Sequence, residues 1–149
     1  MRKIIFVCHG NICRSVAAEY IYQYLMAKRG IDVKDYVKSR ATSLEEIGND
    51  IYPKMKIALT KNHIPYSLHH AKRIDQTDYD WADYIFYMDD HNLYYLNHLL
   101  VDKDHKIYPI NQFTSNVKEI EDPWYSDHFQ LVVDELIQCI NDIIEKLII

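Results

Sequence analysis

The sequence holds only three glycines and four prolines in 149 residues, too few for a collagen-like, low-complexity or linker-rich chain. No apolar run approaches the roughly 20 residues of a membrane span. Ile4-Ile5-Phe6-Val7 follows basic Arg2 and Lys3, but it is too short for the core of a secretory signal, and Cys8-His9-Gly10-Asn11 ends it. Cysteine is scarce as well: three in all, with Cys8 and Cys13 five residues apart. An odd, small set suits reactive thiols better than a disulfide framework. Positive charge is sparse over most of the chain, since residues 41–149 carry nine Lys/Arg against nineteen Asp/Glu, a net of −10. That balance argues against general nucleic-acid binding. Residues 1–40 are the exception at a net of +5, which favours a small anion there. With 48% apolar and 26% charged residues, the chain is expected to be a single soluble, cytoplasmic, monomeric domain.

Short apolar runs alternate with helical periodicity. Lys3–Val7 reads as a buried parallel strand. Ser15–Arg29 places Ala18, Ile21 and Leu25 at helical spacing, with Gly30 as the stop. Tyr36–Arg40 is a second strand, and Pro53–Asn62 a helix with proline in its first turn. Tyr84–Met88 is a third strand, followed by a helix through Leu100 that Asp89 and Asp90 open. Lys106–Ile110 is a fourth strand. Ser126–Leu147 is a long amphipathic helix that takes Cys139 into the core. Strands separated by helices predict an α/β fold, a four-stranded parallel sheet covered on both faces. Such sheets bind ligands beyond the carboxyl ends of their strands.

The segment after the first strand is Cys8-His9-Gly10-Asn11-Ile12-Cys13-Arg14-Ser15. A loop that runs from a buried strand into a helix N-terminus can aim backbone N–H groups at an anion. Gly10 and Asn11 are the residue types that best tolerate the positive φ of a tight concave loop. Cys8 stands where its sulfur can face the anion. Arg14 closes the loop with a planar fork that can hold two phosphoryl oxygens, which Lys could not match. The Ser15 hydroxyl can donate to the thiolate or cap the helix. Cys-x5-Arg-Ser thus combines a nucleophile, a cradle and a clamp.

These eight residues, together with Asp122-Pro123-Trp124-Tyr125 near the end of the chain, resemble the two motifs of the low-molecular-weight protein tyrosine phosphatases. Length, motif position and element order agree over nearly the whole chain. The resemblance implies a flavodoxin-like fold and hydrolysis of phosphotyrosine through a cysteinyl-phosphate on Cys8. Arg14 and the loop N–H groups would bind phosphate, and Asp122 would act as general acid and then base. It implies no cofactor and no metal; His69-His70 are adjacent, and neither pairs with a cysteine at metal spacing. His9, Gly10, Ile12 and Cys13 would line the phosphate site, and Trp124 and Tyr125 an aromatic wall, unless those two rings only pack the loop onto the core. Asn11, Ser15, Ser39 and His70 would brace the loop, with Met88-Asp89 and Asn92 as a further matching segment. Cys13 corresponds to a cysteine that can trap an oxidised nucleophile as a disulfide, or it is simply a small packed residue.

The chain departs from the family pattern at Val16, where proline is usual, and at His9, which either adds charge beside the anion or faces solvent. Glu45 stands where the loop at the pocket mouth often carries an aromatic. It is expected to make the rim acidic and to disfavour acidic phosphopeptides. Ile12 stands where a related phosphoarginine-acting branch tends to have Thr, which favours phosphotyrosine. The partners implied are phosphotyrosine proteins and a tyrosine kinase. Three other readings remain. A thiol-based arsenate reductase needs a further cysteine pair, and only Cys139 is left. A phosphocysteine carrier domain of a sugar transport system needs neither Arg14 nor Asp122. A phosphotyrosine-binding module would have little turnover.

Overall fold

The computed structural model describes residues 1–149. Four strands, β1 (Ile4–Cys8), β2 (Val37–Ala41), β3 (Tyr84–Tyr87) and β4 (Ile107–Pro109), form one parallel sheet in the order β2-β1-β3-β4. All five residues of β1 are buried, as a central strand covered on both faces requires. Its side chains alternate between two cores. Ile4, Phe6 and Cys8 join the larger one, and Ile5 and Val7 the smaller.

The larger core is covered by α1 (Arg14–Ala27), α2 (Pro53–Lys61) and α6 (Phe129–Ile143), and the smaller by α3 (Gln76–Trp81) and α4 (Asp90–Leu99). The α6 residues Phe129, Val132, Val133, Leu136, Ile140 and Ile143 are buried as the periodicity predicts. Each such side chain contributes about 1.5–3 kcal/mol. Helix α1 ends two residues earlier than expected. Gly30, at φ 77°, is the left-handed residue of its terminus, and the Ile31 N–H reaches back to the Met26 carbonyl at 3.0 Å.

Two expectations fail locally. The apolar pattern gives no sign of α3, a short helix held by a reciprocal cap between Asp75 and Asp78. The helix predicted from Ser126 is two pieces: α5 (Pro123–Ser126) stops at Asp127, which takes φ 64°, and α6 starts at Phe129. A left-handed residue cannot continue a helix. After Ile143 the last turn widens to a π-helix, Ile144–Ile148. No helix is long and apolar enough to cross a membrane.

The chain leaves β1 for β2 on one side and later reaches β3 on the other. The crevice between the ends of β1 and β3 is therefore the switch point. The Cys8–Ser15 loop, Met88-Asp89 and the Asp122 loop meet there.

Candidate active site

Cys8 ends β1, and Arg14 begins α1. No side chain caps α1, so its first N–H groups face the loop's interior. The Asn11 and Ser15 N–H groups point at the Cys8 sulfur, at 3.3 and 3.4 Å, and Ser15 Oγ lies 3.0 Å from it. Three polar groups thus converge on one sulfur, an arrangement suited to a thiolate.

Asn11 is fully buried and adopts φ 61°. Its amide donates to Ser15 Oγ at 2.8 Å and Ser39 Oγ at 3.0 Å, and its Oδ1 accepts the Lys72 N–H at 3.1 Å. Ser39 in turn donates to Glu19 at 2.6 Å. Burial raises the Glu19 pKa, and the Ser39 hydrogen bond partly offsets that. Gly10 does not share the positive φ expected of it. Its lack of a side chain serves close approach instead, since a Cβ there would sit 3.3 Å from Glu46 Cγ.

The histidine that braces the loop is His69, not His70. His69 Nε2 lies 2.7 Å from the Asn11 carbonyl oxygen, which can only accept, so the ring donates from Nε2. Burial holds the His69 pKa below the ordinary value, although the Asn11 bond and Asp50 pull it upward. His70 is exposed, with Nδ1 3.3 Å from the Gly48 carbonyl oxygen. Two adjacent histidines in an extended segment point opposite ways, and only one can reach the loop.

The Arg14 side chain is 3% exposed. Its guanidinium donates to Asp89 Oδ2 at 2.6 Å and to the Ile120 carbonyl at 2.9 Å, and lies 3.6 Å from Asp122 Oδ2. Burial works against its charge, but Cys8, Asp89 and Asp122 outweigh that and raise its pKa. Asp89 also caps α4, with Oδ1 accepting the Asn92 N–H at 2.9 Å. Asp122 caps α5 by accepting the Trp124 N–H at 3.0 Å.

These groups open into a cleft of about 140 Å³ lined by the Cys8 loop, Glu45, Glu46, Asp122, Trp124 and Tyr125. Trp124 packs on Tyr52 with ring centroids 4.8 Å apart, while Tyr125 is 85% exposed. One ring is therefore fixed and the other stands free at the mouth. His9 and Glu45 meet across the rim at 2.9 Å. The Glu45 carboxylate is thus held at the rim by the His9 ring. Cys13 is buried on the cleft wall; burial first, then the Cys8 charge, raises its pKa strongly. Cys139 lies in the α6 core, where burial raises its pKa to about 11.

Glu46, Tyr52, Glu19 and the Ile120 carbonyl are site components that carry no sequence signal. The Asp89–Arg14 pair had one, the Asp89-x-x-Asn92 cap at the end of a strand.

Comparison with known proteins agrees with this geometry. A family model described as low molecular weight phosphotyrosine protein phosphatase matches residues 3–148. A human protein of that name is 33% identical over 97% of this chain and 95% of its own length, and one from Gallus gallus is 31% identical over 98% and 96%. Among solved structures, the low molecular weight protein tyrosine phosphatase of Streptococcus pyogenes superposes with a TM-score of 0.86 at 31% identity, covering 100% of this chain and 95% of that one. A protein tyrosine phosphatase of Entamoeba histolytica gives 0.88 at 27% identity, covering 99% and 97%. With the family matched from end to end and the Cys8 loop, Arg14 and Asp122 gathered in one crevice, the chain belongs to the low molecular weight phosphotyrosine protein phosphatases.

Proposed function

We propose that this protein hydrolyses phosphotyrosine in proteins, and small aryl phosphates, through a cysteinyl-phosphate on Cys8. The observation that carries this reading is the convergence of donors on the Cys8 sulfur beneath Arg14 and Asp122. The thiolate attacks phosphorus in line, so an S–P bond forms as the P–O bond to the aryl group breaks. Loop N–H groups and Arg14 hold the equatorial oxygens, whose charge grows in the transition state. Asp122 gives its proton to the leaving phenolate oxygen. It then takes one from the water that attacks phosphorus, and the S–P bond breaks to release phosphate and the thiolate.

Trp124 and Tyr125 favour a flat aryl group over a serine side chain, because only the longer group reaches the loop floor from between them. The partners that follow are phosphotyrosine proteins and the kinase that makes them. Arsenate reduction is disfavoured, since Cys139 sits buried in α6 with no route to the loop.

The test is hydrolysis of a phosphotyrosine peptide in EDTA by wild type and Cys8→Ser, with phosphoserine and phosphoarginine peptides beside it. Turnover of phosphotyrosine alone, lost in the variant, is expected. Binding without turnover by a folded wild type would make this a phosphotyrosine-binding module. Asp122→Asn is expected to lose roughly 10²–10⁴-fold on aryl phosphates with poor leaving groups and much less on nitrophenyl phosphate. Equal losses on both would remove Asp122 from the acid role.

A further inference from the structure

Beside the cleft lies a second groove, between the rim segment 42–45 and the C-terminal half of α4. Leu44, Arg73, Tyr95, His98 and Leu99 line it. His9 and Glu45 line both hollows, so the two adjoin and share that pair as a low wall. The groove offers apolar surface, with Leu44 62% and Tyr95 45% exposed. Tyr95 lies edge-on to Tyr94 and near the His9 ring, at centroid distances of 5.3 and 6.4 Å, which holds its ring against the groove wall.

Its two fixed charges differ in their partners. Glu45 is the one carboxylate in the lining, and it is held at the rim by His9. Arg73 is exposed and pairs with no acid. Its backbone is pinned by a bridge to Ala41 at the end of β2, which fixes where the side chain leaves the surface. An unpaired guanidinium beside exposed leucine and tyrosine, in a groove that adjoins the phosphate cleft, fits an extended peptide that carries a carboxylate.

We propose that this groove holds the polypeptide flanking the phosphotyrosine, with an acidic side chain of the substrate on Arg73 and an apolar one against Leu44 and Tyr95. The inference rests on the phosphatase reading for what fills the cleft. It reverses the preference expected from Glu45 alone: acidic side chains that reach the groove are favoured, because Arg73 has no acid partner there while Glu45 is already hydrogen-bonded to His9. Small aryl phosphates do not reach the groove and are indifferent to it.

The experiment scans Glu and Lys through the positions on both sides of phosphotyrosine in one peptide. It reads kcat/KM with wild type, Arg73→Glu and Arg73→Gln, and binding of the same peptides to the Cys8→Ser form with and without Arg73→Glu. Nitrophenyl phosphate serves as the substrate that ends at the cleft. At one or two positions Glu is expected to exceed Lys by about three- to fivefold in wild type, as an exposed ion pair allows. Arg73→Glu should invert that order and Arg73→Gln abolish it, and high salt should flatten it. Nitrophenyl phosphate turnover should stay within about twofold. Equal kcat/KM and equal binding for Glu and Lys peptides at every position would overturn the proposal, as would parallel losses on peptide and nitrophenyl phosphate. Should wild type turn over nothing while binding keeps the charge order inverted by Arg73→Glu, the groove stands and the phosphatase reading falls.

Discussion

Asp89 performs two tasks, and two substitutions grade them. Its Oδ1 caps α4 through the Asn92 N–H, and its Oδ2 meets the Arg14 guanidinium at 2.6 Å. Asn at this position keeps a good cap and a neutral acceptor, whereas Ala removes both. Breaking a fully buried ion pair from one side costs about 3–5 kcal/mol. The cost here is smaller. Asp89 is 19% exposed, and Arg14 retains the Ile120 carbonyl at 2.9 Å and Asp122 at 3.6 Å. Exchanging a charge-assisted bond for a neutral one gives about 1–2 kcal/mol for Asp89→Asn. Loss of the cap and of the neutral acceptor together adds about 1–2 kcal/mol in Asp89→Ala.

Urea unfolding reads both numbers, provided the slope is common to all three proteins. The Asn–Ala difference reports the cap together with the neutral bond to Arg14, and the wild type–Asn difference reports the charge of the pair. The pair difference should persist in high salt because Arg14 is buried. Activity should fall in both variants by about tenfold in kcat/KM, since a fork no longer held from behind must be ordered by the substrate. Asp89→Asn within 0.5 kcal/mol of wild type would mean that Asp122 and the Ile120 carbonyl suffice to hold Arg14. Equal stability of the Asn and Ala variants would remove the cap from the account.

Asn11→Gly keeps access to φ 61° but loses the side-chain bonds, and Asn11→Ala loses both, so thermal unfolding should place Ala below Gly and both below wild type. Burial depresses the His69 pKa, so the unfolded chain takes up a proton near pH 6.5 that the folded chain resists; stability is full above about pH 6.5 and lost as pH falls below it. His69→Gln should lower the plateau by about 1 kcal/mol and remove that part of the acid slope in urea titrations at pH 5–8, and an unchanged slope would count against the brace. Peroxide should convert Cys8 to a sulfenic acid, which the Cys13 thiol attacks to give a disulfide and water. With excess peroxide, inactivation should then reverse with dithiothreitol in wild type and fail to reverse in Cys13→Ser, where a second peroxide carries the unprotected sulfenic acid to sulfinic acid, and equal recovery would leave Cys13 a packing residue.

The sheet was legible because β1 and β3 are short apolar runs, β2 alternates buried and half-buried residues, and the long helices are periodic. Both signals follow from burial on one face or two, and burial is what the structure shows for β1 and α6. What stayed hidden has little apolar periodicity. Helix α3 is six residues held by Asp75 and Asp78, a cap pattern that also suits a turn. The break at Asp127 lies in a stretch whose flanks are both helical, and nothing but its backbone angle ends α5. The chemistry-bearing loop was legible for a different reason: a nucleophile, a cradle and a clamp must be close in sequence to surround one anion. Its supports are not so constrained. His69 reaches the loop across 58 positions and Ile120 reaches Arg14 across 106, and no local spacing announces either contact. The choice between His69 and His70 depends on which face of an extended segment meets the loop, which is a tertiary fact.

Asn11 shows why those distant supports are needed. Its N–H, carbonyl, amide nitrogen and amide oxygen all have partners, drawn from the loop, β2 and the segment around residues 69–72. A left-handed residue in a concave loop is costly to hold, and the loop's own chain supplies few bonds to hold it. N–H groups stabilise a developing phosphoryl charge only if they already point at it, because reorienting them during the reaction would cost what they return. The order must therefore be imposed from outside the loop. Ser39 on β2, His69 and the Lys72 N–H do this from one side, and Asp89 and the Ile120 carbonyl hold Arg14 from the other. Removing a support should then degrade the cradle, so that stability, phosphate affinity and the reactivity of Cys8 toward a small alkylating agent fall together, because the Asn11 and Ser15 N–H groups that face the anion also face the sulfur.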